Sequence, residues 1–445
     1  MLRLGAPLAS LLLIITFTNL PAFSFSKESD SSSTFVVNRI ILEGNKHTKP
    51  FVIMRELPFE EGDTVTSDEL DYTRERIYST GLFTKVLTTP ELISRDTANV
   101  IISVEESWHI WPFPVLGFRD REISLKRLYG GLGVLDFNFR GMAERLEGMF
   151  VLGYDPFALI TYSSPSIGKN RDYLIGLGAS YSHGANIGLQ STYSSGQFDD
   201  SFGDFYIVAG KRMDLFSVVS LGAAYNYVAK ITNDSNSFAL SLNGKDVFAS
   251  VWAEYSYDSR DLRIYASRGI YLDFVIEKYG LGESVVNFGR FSFDMRQYLP
   301  VWDFLSLAGR MHGSLAEGPS IPRYDDVFFG LGERIRGMFN TQSEGQSIMG
   351  GNFEIRIPVI KRMYVEMPWF SIKEFMSNRI ALYWNFFADA GETSDKFLNM
   401  GWDRLLYGYG GGMSLLLPYD FSVEVDFARG RDGHFEWIFD FGETI

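Results

Sequence analysis

Apolar and polar side chains alternate along most of the chain after about residue 112, in runs of roughly ten residues separated by Gly, Asn, Asp and Pro. Such alternation is typical of β-strands, because successive side chains of a strand point to opposite faces of its sheet. In the run FSVEVDFA, residues 421–428, the odd positions are all apolar and the even positions are polar or small. We count roughly sixteen such runs, so the sequence predicts an all-β architecture of about 16 antiparallel strands over residues 112–445.

The environment of these strands decides between two architectures. A soluble β-sandwich also alternates, but it hides its apolar face and shows its polar face to water. Here the runs are long, 16% of all residues are aromatic, and Trp108, Trp111 and Phe113 lie where the first run begins, as in the aromatic belts of membrane proteins. The strand count is even, as bacterial outer-membrane barrels require. In lipid, a structure without helices can pair all its backbone N–H and C=O groups only as a closed barrel, so the pattern favours a transmembrane β-barrel.

The N-terminus has the composition of a secretory signal peptide. A basic Arg3 precedes an apolar run from about Leu8 to Phe17, and small residues follow it. The apolar run is short for a membrane-spanning helix, which needs about 20 residues. We therefore predict a signal peptide over residues 1–26 and a Ser-rich linker over 27–34. The chain holds no cysteine and has a net charge of −14, which disfavours disulfides, thiolate metal sites and a nucleic-acid partner.

Residues 35–107 show a different pattern, which predicts a small α+β domain of order β-α-α-β-β. The strand FVVNRIILEGN is followed by a short helix in HTKPFVIMREL, for which Thr48 is the expected N-cap. A second helix begins at Thr66, which can form a capping box with Glu69. Its charged residues, Glu75 among them, are expected to face solvent. Two β-rich runs, KVLTTPELI and NVIISVEES, complete a domain with a small core.

The stretch VFFGLGERIRGMFN, residues 327–340, places two arginines in a glycine-rich segment between two predicted strands. It could be a phosphate-binding loop, a solvated surface loop, or a loop that folds into the barrel. The first interpretation is disfavoured, because the Gly-Lys-Ser/Thr chemistry of nucleotide-binding loops is missing. Arg336 has a permanent charge and a planar fork that prefers carboxylates, and Glu354 and Asp389 lie on inward faces of the following strands. We hypothesise that Arg336 pairs with Asp389 inside the lumen, with Glu354 close by.

Two groups of motifs resemble known families. The stretches IILEGNKHTKPFVIMREL, EGD and RERIYSTGLFTKV resemble the polypeptide-transport-associated (POTRA) domain, although another small α+β module would fit the same element order. The motif IRGM (Ile335, Arg336, Gly337 and Met338) resembles the signature of the long sixth extracellular loop of the BamA/TamA superfamily of outer-membrane assembly and secretion barrels. GGNFEIRIP and FADAG resemble the two following strands of that family. In the family the loop arginine contacts the acidic residue of FxDxG, which carries over here to Arg336 and Asp389.

The chain departs from the family pattern at two points. The family usually has an aromatic residue after RG, where this chain has Met338. The family also often ends on an aromatic residue, whereas this chain ends FDFGETI. The second difference bears on how this barrel is itself recognised for assembly.

The first and last predicted strands of the barrel differ in character. The first, PVLGFRDREIS, is polar and alternates poorly, whereas the last, HFEWIFDFG, is strongly aromatic. Unequal partners would close their junction less firmly than two regular strands. We therefore expect a weak seam, at which client chains can pair with an open edge and enter lipid.

The resemblance implies a protein that captures unfolded outer-membrane protein clients in the periplasm and inserts or translocates them at the barrel. By the same resemblance, the POTRA-like domain pairs with extended chains at a sheet edge. The expected partners are those clients, outer-membrane lipids, and periplasmic chaperones or accessory lipoproteins. The expected location is a Gram-negative type of outer membrane, with the POTRA-like domain in the periplasm.

Other functions remain open at this stage. They are a secretion pore for one dedicated partner, a passive porin, and a scaffold for other envelope complexes. The sequence holds no GxSxG, HExxH or paired-histidine motif, so we expect no catalysis and no cofactor or metal site.

Overall fold

The structure, a computed structural model, describes the N-terminal domain and the barrel strands. The predicted signal peptide lies outside the described residues, and the predicted linker is described only at residue 34. The described residues are 34–118, 128–153, 156–185, 199–230, 239–282, 284–330, 333–338, 341, 343–366, 377–401, 403–419 and 421–441.

The N-terminal domain is a four-stranded sheet packed against two helices. Its strand order is β2-β1-β4-β3, with β1 and β4 parallel and the other pairs antiparallel. The short strand β2 is absent from the expected element order, which becomes β-α-β-α-β-β; it forms because Val65 pairs with Phe35 along the edge of β1. The elements are β1 (Thr34–Glu43), α1 (Pro50–Met54), β2 (Thr64–Thr66), α2 (Ser67–Tyr78), β3 (Phe83–Ser94) and β4 (Thr97–Glu106).

The two helices begin in different ways. Helix α2 starts as the sequence predicts, with Thr66 and Glu69 in a reciprocal capping box. The N-cap of α1 is Lys49, which makes no side-chain cap. Thr48, the expected cap, is buried, and its hydroxyl accepts a hydrogen bond from the side chain of Asn138 in the second domain. A contact between domains thus takes the place of the local cap. No helix in the described part of the chain is long and apolar enough to cross a membrane.

Among the described residues, sixteen antiparallel strands form one large sheet, which confirms the predicted fold class and strand number. Strands that are neighbours in the chain are also neighbours in this sheet, except that β15 pairs directly with β18. Between them, β16 and β17 form a separate hairpin. The strands are β5 (Ile110–Phe118), β6 (Leu128–Phe139), β7 (Glu144–Gly153), β8 (Phe157–Ile167), β9 (Tyr173–Ala185), β10 (Asp199–Arg212), β11 (Ser217–Lys230), β12 (Lys245–Asp258), β13 (Gly269–Tyr279), β14 (Asn287–Trp302), β15 (Leu305–Ser320), β16 (Val327–Phe329), β17 (Ser343–Gly345), β18 (Ser347–Glu366), β19 (Ser377–Ser394), β20 (Leu406–Leu417), β21 (Phe421–Gly430) and β22 (Phe435–Phe441).

The large sheet curls so that its two ends approach each other. The ring of Trp111 in β5 lies 5.3 Å from that of Tyr419, in the turn before β21, in an edge-to-face arrangement. The outer face is apolar, with large side chains such as Leu116, Ile276 and Trp437 exposed. The inner face carries buried polar and charged side chains. This arrangement, apolar outside and polar inside, is the one that the alternation predicts for a membrane barrel.

The N-terminal domain lies against the turns at one end of the barrel. The hydroxyl of Tyr72 in α2 donates to the backbone oxygen of Ser259 at 2.8 Å, and the amide of Lys49 donates to the backbone oxygen of Gly141 at 2.8 Å. Leu262, from the turn after β12, is buried in the apolar core of the N-terminal domain. The two domains therefore share part of one core.

Glu75 is placed differently from the sequence prediction. Instead of facing solvent, its side chain is buried and pairs with Arg379, the nearer partner, and with Arg362 at 3.5 Å. Both arginines belong to the barrel strands β18 and β19. Helix α2 therefore has two buried faces, one on its own domain and one on the barrel. Helical periodicity alone could not distinguish a charged face that packs on another domain from one that faces water.

Candidate functional site in the barrel lumen

The segment between β15 and β18 folds back against the inner wall of the barrel. Phe329, Ile335 and Met338 from this segment are buried in one apolar cluster with Ile348 of β18. Three of the five predicted site residues, Ile335, Arg336 and Gly337, lie between β16 and β17, in a stretch that we call the lumenal loop and whose described residues are 330, 333–338 and 341. This apolar cluster holds the loop against the inner face of the barrel strands and so positions Arg334 and Arg336 along the barrel axis.

Arg336 makes a bidentate contact with Asp389 of β19. Its Nε donates to Oδ2 at 2.7 Å and its Nη2 donates to Oδ1 at 2.8 Å. The backbone amide of Arg336 also donates to Oδ2, at 3.1 Å. Nη1 donates to Oε1 of Glu354 on β18, at 2.5 Å. All three side chains are buried, so the structure brings the predicted arginine and both predicted carboxylates into a single contact.

Three further residues complete the charge cluster. The guanidinium of Arg336 lies 3.7 Å from the centre of the Phe387 ring, in a cation–π geometry that replaces water on that face. Asp426 of β21 lies 3.6 Å from Nη1 of Arg336. Arg356 donates to Oε2 of Glu354 at 2.8 Å. The cluster therefore holds two guanidiniums and three carboxylates, and it links β18, β19 and β21 through one loop residue.

Glycines let the loop backbone reach the wall. Gly337 has a φ of +90°, a conformation that residues with a Cβ rarely adopt. A Cβ added at Gly408 of β20 would lie 1.9 Å from the backbone oxygen of Arg336. A Cβ added at Gly337 would lie 2.7 Å from the backbone of Arg429 in β21. A larger residue at Gly408 would therefore push the loop away from β20, and one at Gly337 would push it away from β21; either change would pull Arg336 off its carboxylates.

The second arginine of the loop contacts the last strand. Nη1 of Arg334 donates to Oδ2 of Asp440 on β22 at 2.8 Å. On the other side of the loop, Glu333 accepts from Arg310 of β15 at 2.8 Å and 3.0 Å. The loop is thus attached to strands on both sides of the Arg336 cluster.

Sequence reasoning did not identify Asp426, Phe387 or Asp440 as partners of the loop. The alternation of β19, β21 and β22 places all three on the inward face. Period-two alternation shows which face a residue occupies, but not which inward residue lies at the depth of the loop.

Comparisons with known proteins follow the division into two domains. The POTRA family, described as a surface antigen variable number repeat, matches residues 35–107. The Omp85 superfamily domain matches residues 138–445, which is more than half of the chain. The chain belongs to the Omp85 superfamily. Proteins of this superfamily reside in the outer membrane with their POTRA domains in the periplasm.

Solved structures resemble this Omp85 protein over most of its length. BamA from Haemophilus ducreyi lacking POTRA domains 1–3 aligns with a TM-score of 0.53 at 16% identity, covering 92% of this chain and 84% of that chain. CdiB from Acinetobacter baumannii aligns with a TM-score of 0.49 at 15% identity, covering 92% and 73% respectively. No curated protein sequence matches the chain. The similarity to BamA supports the shared fold.

The first and last strands of this Omp85 protein, β5 and β22, are the two ends of the large sheet, and the junction between them is called the seam. In the described residues no backbone ladder joins β5 to β22. The first strand is Ile110–Phe118, so the predicted strand PVLGFRDREIS begins too late, and its residues 119–124 lie outside the described part of the chain. The error arises because Trp-Pro-Phe-Pro does not resemble a strand interior; proline is confined to edges and bulges of sheets.

Two prolines remove hydrogen-bond donors from the seam edge of β5. The amide of Phe137 donates to the backbone oxygen of His109 at 3.0 Å, and the register of β5 with β6 continues from there without a shift. Because bonded and non-bonded positions alternate in an antiparallel pair, the odd-numbered residues of β5 bond to β6 and the even-numbered residues point toward the seam. Pro112 and Pro114 are even-numbered, and proline has no N–H. Two successive seam-facing donors of β5 are therefore missing.

Proposed function

We propose that this Omp85 protein assembles other outer-membrane proteins, capturing unfolded clients at its N-terminal domain and inserting them into lipid at the seam between β5 and β22. The observation that carries this proposal is the loss of seam-facing donors at Pro112 and Pro114. A closed barrel gains stability from every interstrand hydrogen bond, because lipid offers no substitute. A junction with missing donors is the least costly one to open, and an opened edge is a template for a client strand.

The outer edge of the N-terminal sheet supports the capture step. In the described part of the chain, strand β3 lies at the end of that sheet and has β4 on one side only. At its inner end, the amide and carbonyl of Val86 both bond to the hydroxyl of Tyr364 from the barrel, at 3.3 Å. Farther along β3, Leu92 and Ile93 are exposed. We propose that an extended client chain adds to this outer half of β3, which offers backbone groups for pairing and apolar side chains for contact.

The lumenal loop has a bracing role in this proposal. Arg336 holds β18, β19 and β21 together, and Arg334 contacts β22. The strands that lead to the seam would thereby keep their positions while the junction itself opens. The insertion is a non-covalent process that uses neither a catalytic side chain nor a cofactor.

The proposed setting is the outer membrane, with the N-terminal domain in the periplasm. The proposed partners are unfolded outer-membrane proteins and the surrounding lipids, together with periplasmic chaperones or accessory lipoproteins that deliver clients.

The test uses liposomes that contain only this protein and an added unfolded barrel client. We expect the client to reach a protease-resistant form faster than in empty liposomes of the same lipid. Liposomes holding a folded barrel without a POTRA domain are the matched control for bilayer defects. Steady ion conductance with no faster client folding would contradict the proposal and point instead to a secretion pore or a porin.

A further inference from the structure

A cavity of about 320 Å³ lies between the N-terminal domain and the inner wall of the barrel. The domain contributes Glu56 and Arg76 to its lining, and the barrel contributes Arg212, Arg260 and Arg263. These barrel arginines come from the end of β10 and from the turn after β12, so separate segments of the barrel line the cavity together with the domain. In a chain with a net charge of −14, four arginines around one cavity are an unusual concentration of positive charge.

The carboxylates at this cavity are too few for its arginines. Glu56 alone is shared by three guanidiniums, with Arg76 at 2.9 Å, Arg55 at 3.4 Å and Arg212 at 3.5 Å. Asp258 is the other acidic residue of the lining, and it forms an ion pair with Arg260 at 2.9 Å.

Arg263 completes the four guanidiniums of the lining. These four face two carboxylates, and Arg55, outside the lining, adds a further positive charge through its contact with Glu56. The site therefore carries an excess of positive charge.

The guanidinium of Arg55, which contacts Glu56, is incompletely hydrogen-bonded. Its Nη1 is buried with no hydrogen-bond partner in the described structure. Burial, and after it the charges of Arg212 and Arg263, lower the pKa of Arg55 to about 10, even though Glu56 acts in the opposite direction. Positive charge of this density in a partly closed space is stabilised by a bound anion.

We propose that this cavity binds a phosphate-class oxyanion, which links the N-terminal domain to the barrel. Guanidinium forks match the oxygens of phosphate and bond to two of them at once. A doubly charged tetrahedral anion would offset most of the excess charge, and its several oxygens could accept bonds from Arg76 on the domain and from Arg212 and Arg263 on the barrel together. The site stands apart from the seam and the lumenal loop, and the proposal does not depend on the insertion activity.

The same phosphate group has two sources at a membrane, the free ion and the headgroup of a phospholipid. The test therefore has two arms, both with the full chain folded in nonionic detergent. Calorimetric titration with inorganic phosphate, at constant ionic strength set with chloride, measures the free ion. Titration with dihexanoyl phosphatidylglycerol below its micelle concentration measures the headgroup.

Arg263→Gln is the variant of choice, because Arg263 is exposed and its replacement leaves the Glu56 ion pairs in place. We expect saturable binding of one anion per chain, weakened about ten-fold by Arg263→Gln, as for loss of one charge-assisted hydrogen bond. Arg39→Gln, an exposed arginine of β1 with the same change in charge, should bind like the unaltered protein.

Arg263-dependent binding of phosphate would identify the free ion as sufficient, and Arg263-dependent binding of the lipid alone would identify the headgroup; both support the site. Binding of neither probe overturns the proposal. Equal binding by the Arg263→Gln and Arg39→Gln variants overturns it as well, because the effect would then reflect overall charge. Electrophoretic heat-modifiability of each variant confirms that its barrel is folded.

Discussion

Arg334 of the lumenal loop and Asp440 of the last strand form an ion pair of 2.8 Å. Asp440 lies on β22, the strand whose far edge borders the seam, so this pair joins the loop to one end of the sheet. Both side chains are about one-third exposed, and such a pair contributes at most about 1 kcal/mol to stability. In the proposed mechanism its importance lies in position, because it would hold β22 while the neighbouring junction opens.

Replacing Asp440 tests this positioning role. Asp440→Asn should lower the rate of client insertion by about two- to five-fold, the factor that corresponds to about 1 kcal/mol or less, with little change in the urea midpoint of the barrel. The exchanged pair Arg334→Asp with Asp440→Arg should restore much of the rate. Asp403→Asn, at an exposed loop position, is the control. No recovery in the exchanged pair would remove the ion pair from the mechanism.

Arg336 has a larger expected effect on stability because it is fully enclosed. Arg336→Ala leaves Glu354, Asp389 and Asp426 together without their shared cation, and breaking a buried pair in this way typically costs about 3–5 kcal/mol. The urea midpoint of the barrel and the client-folding rate should both fall. Arg336→Lys should recover only part of the loss, because an ammonium lacks the bidentate fork. Unaltered behaviour of Arg336→Ala in both assays would exclude the bracing role.

The interface between the domains should depend on Glu75. Glu75→Gln removes the charge that Arg379 and Arg362 share, at a cost of about 1.5–3 kcal/mol for hydrogen bonds to a charged group. We expect faster backbone hydrogen exchange in residues 258–268, which contact the N-terminal domain. Asp71→Asn changes the same charge on the exposed side of the same helix and should leave exchange unchanged. Equal exchange in the two variants would show that Glu75 does not hold the interface.

The two prolines of β5 give a prediction in the opposite direction. Pro112→Val with Pro114→Val supplies two seam-facing donors, each contributing about 0.5–1.5 kcal/mol once paired. The barrel should become more resistant to unfolding, while client insertion should slow. Pro58→Val, at an exposed position of the N-terminal domain, controls for loss of proline in general. A stabilised barrel that inserts clients at the original rate would argue against opening at this junction.

The sequence predicted most of the fold because lipid and lumen impose opposite demands on alternate residues. The same alternation placed Glu354 and Asp389 on inward faces. The fixed charge of Arg336 then predicted its contact with these two carboxylates. Period-two alternation predicts the face on which a residue lies, but not which residue of a distant segment lies near it. Asp440 could not be matched to Arg334 for that reason, and Glu75 appeared solvent-facing because its partners belong to the other domain. The prolines of β5 made the start of this strand difficult to predict, and they also remove hydrogen-bond donors from its seam edge.

The most direct test of client insertion at the seam is photo-crosslinking from the outer face of the barrel to a client caught during insertion. A photoreactive residue at position 116 replaces Leu116 on β5 at the seam, and one at position 276 replaces Ile276 on β13, far from the seam in strand order; the two side chains are similarly exposed, at 74% and 65%. We predict client adducts at position 116 and few at position 276. Equal adducts at the two positions, or adducts at position 276 alone, would contradict insertion at the seam.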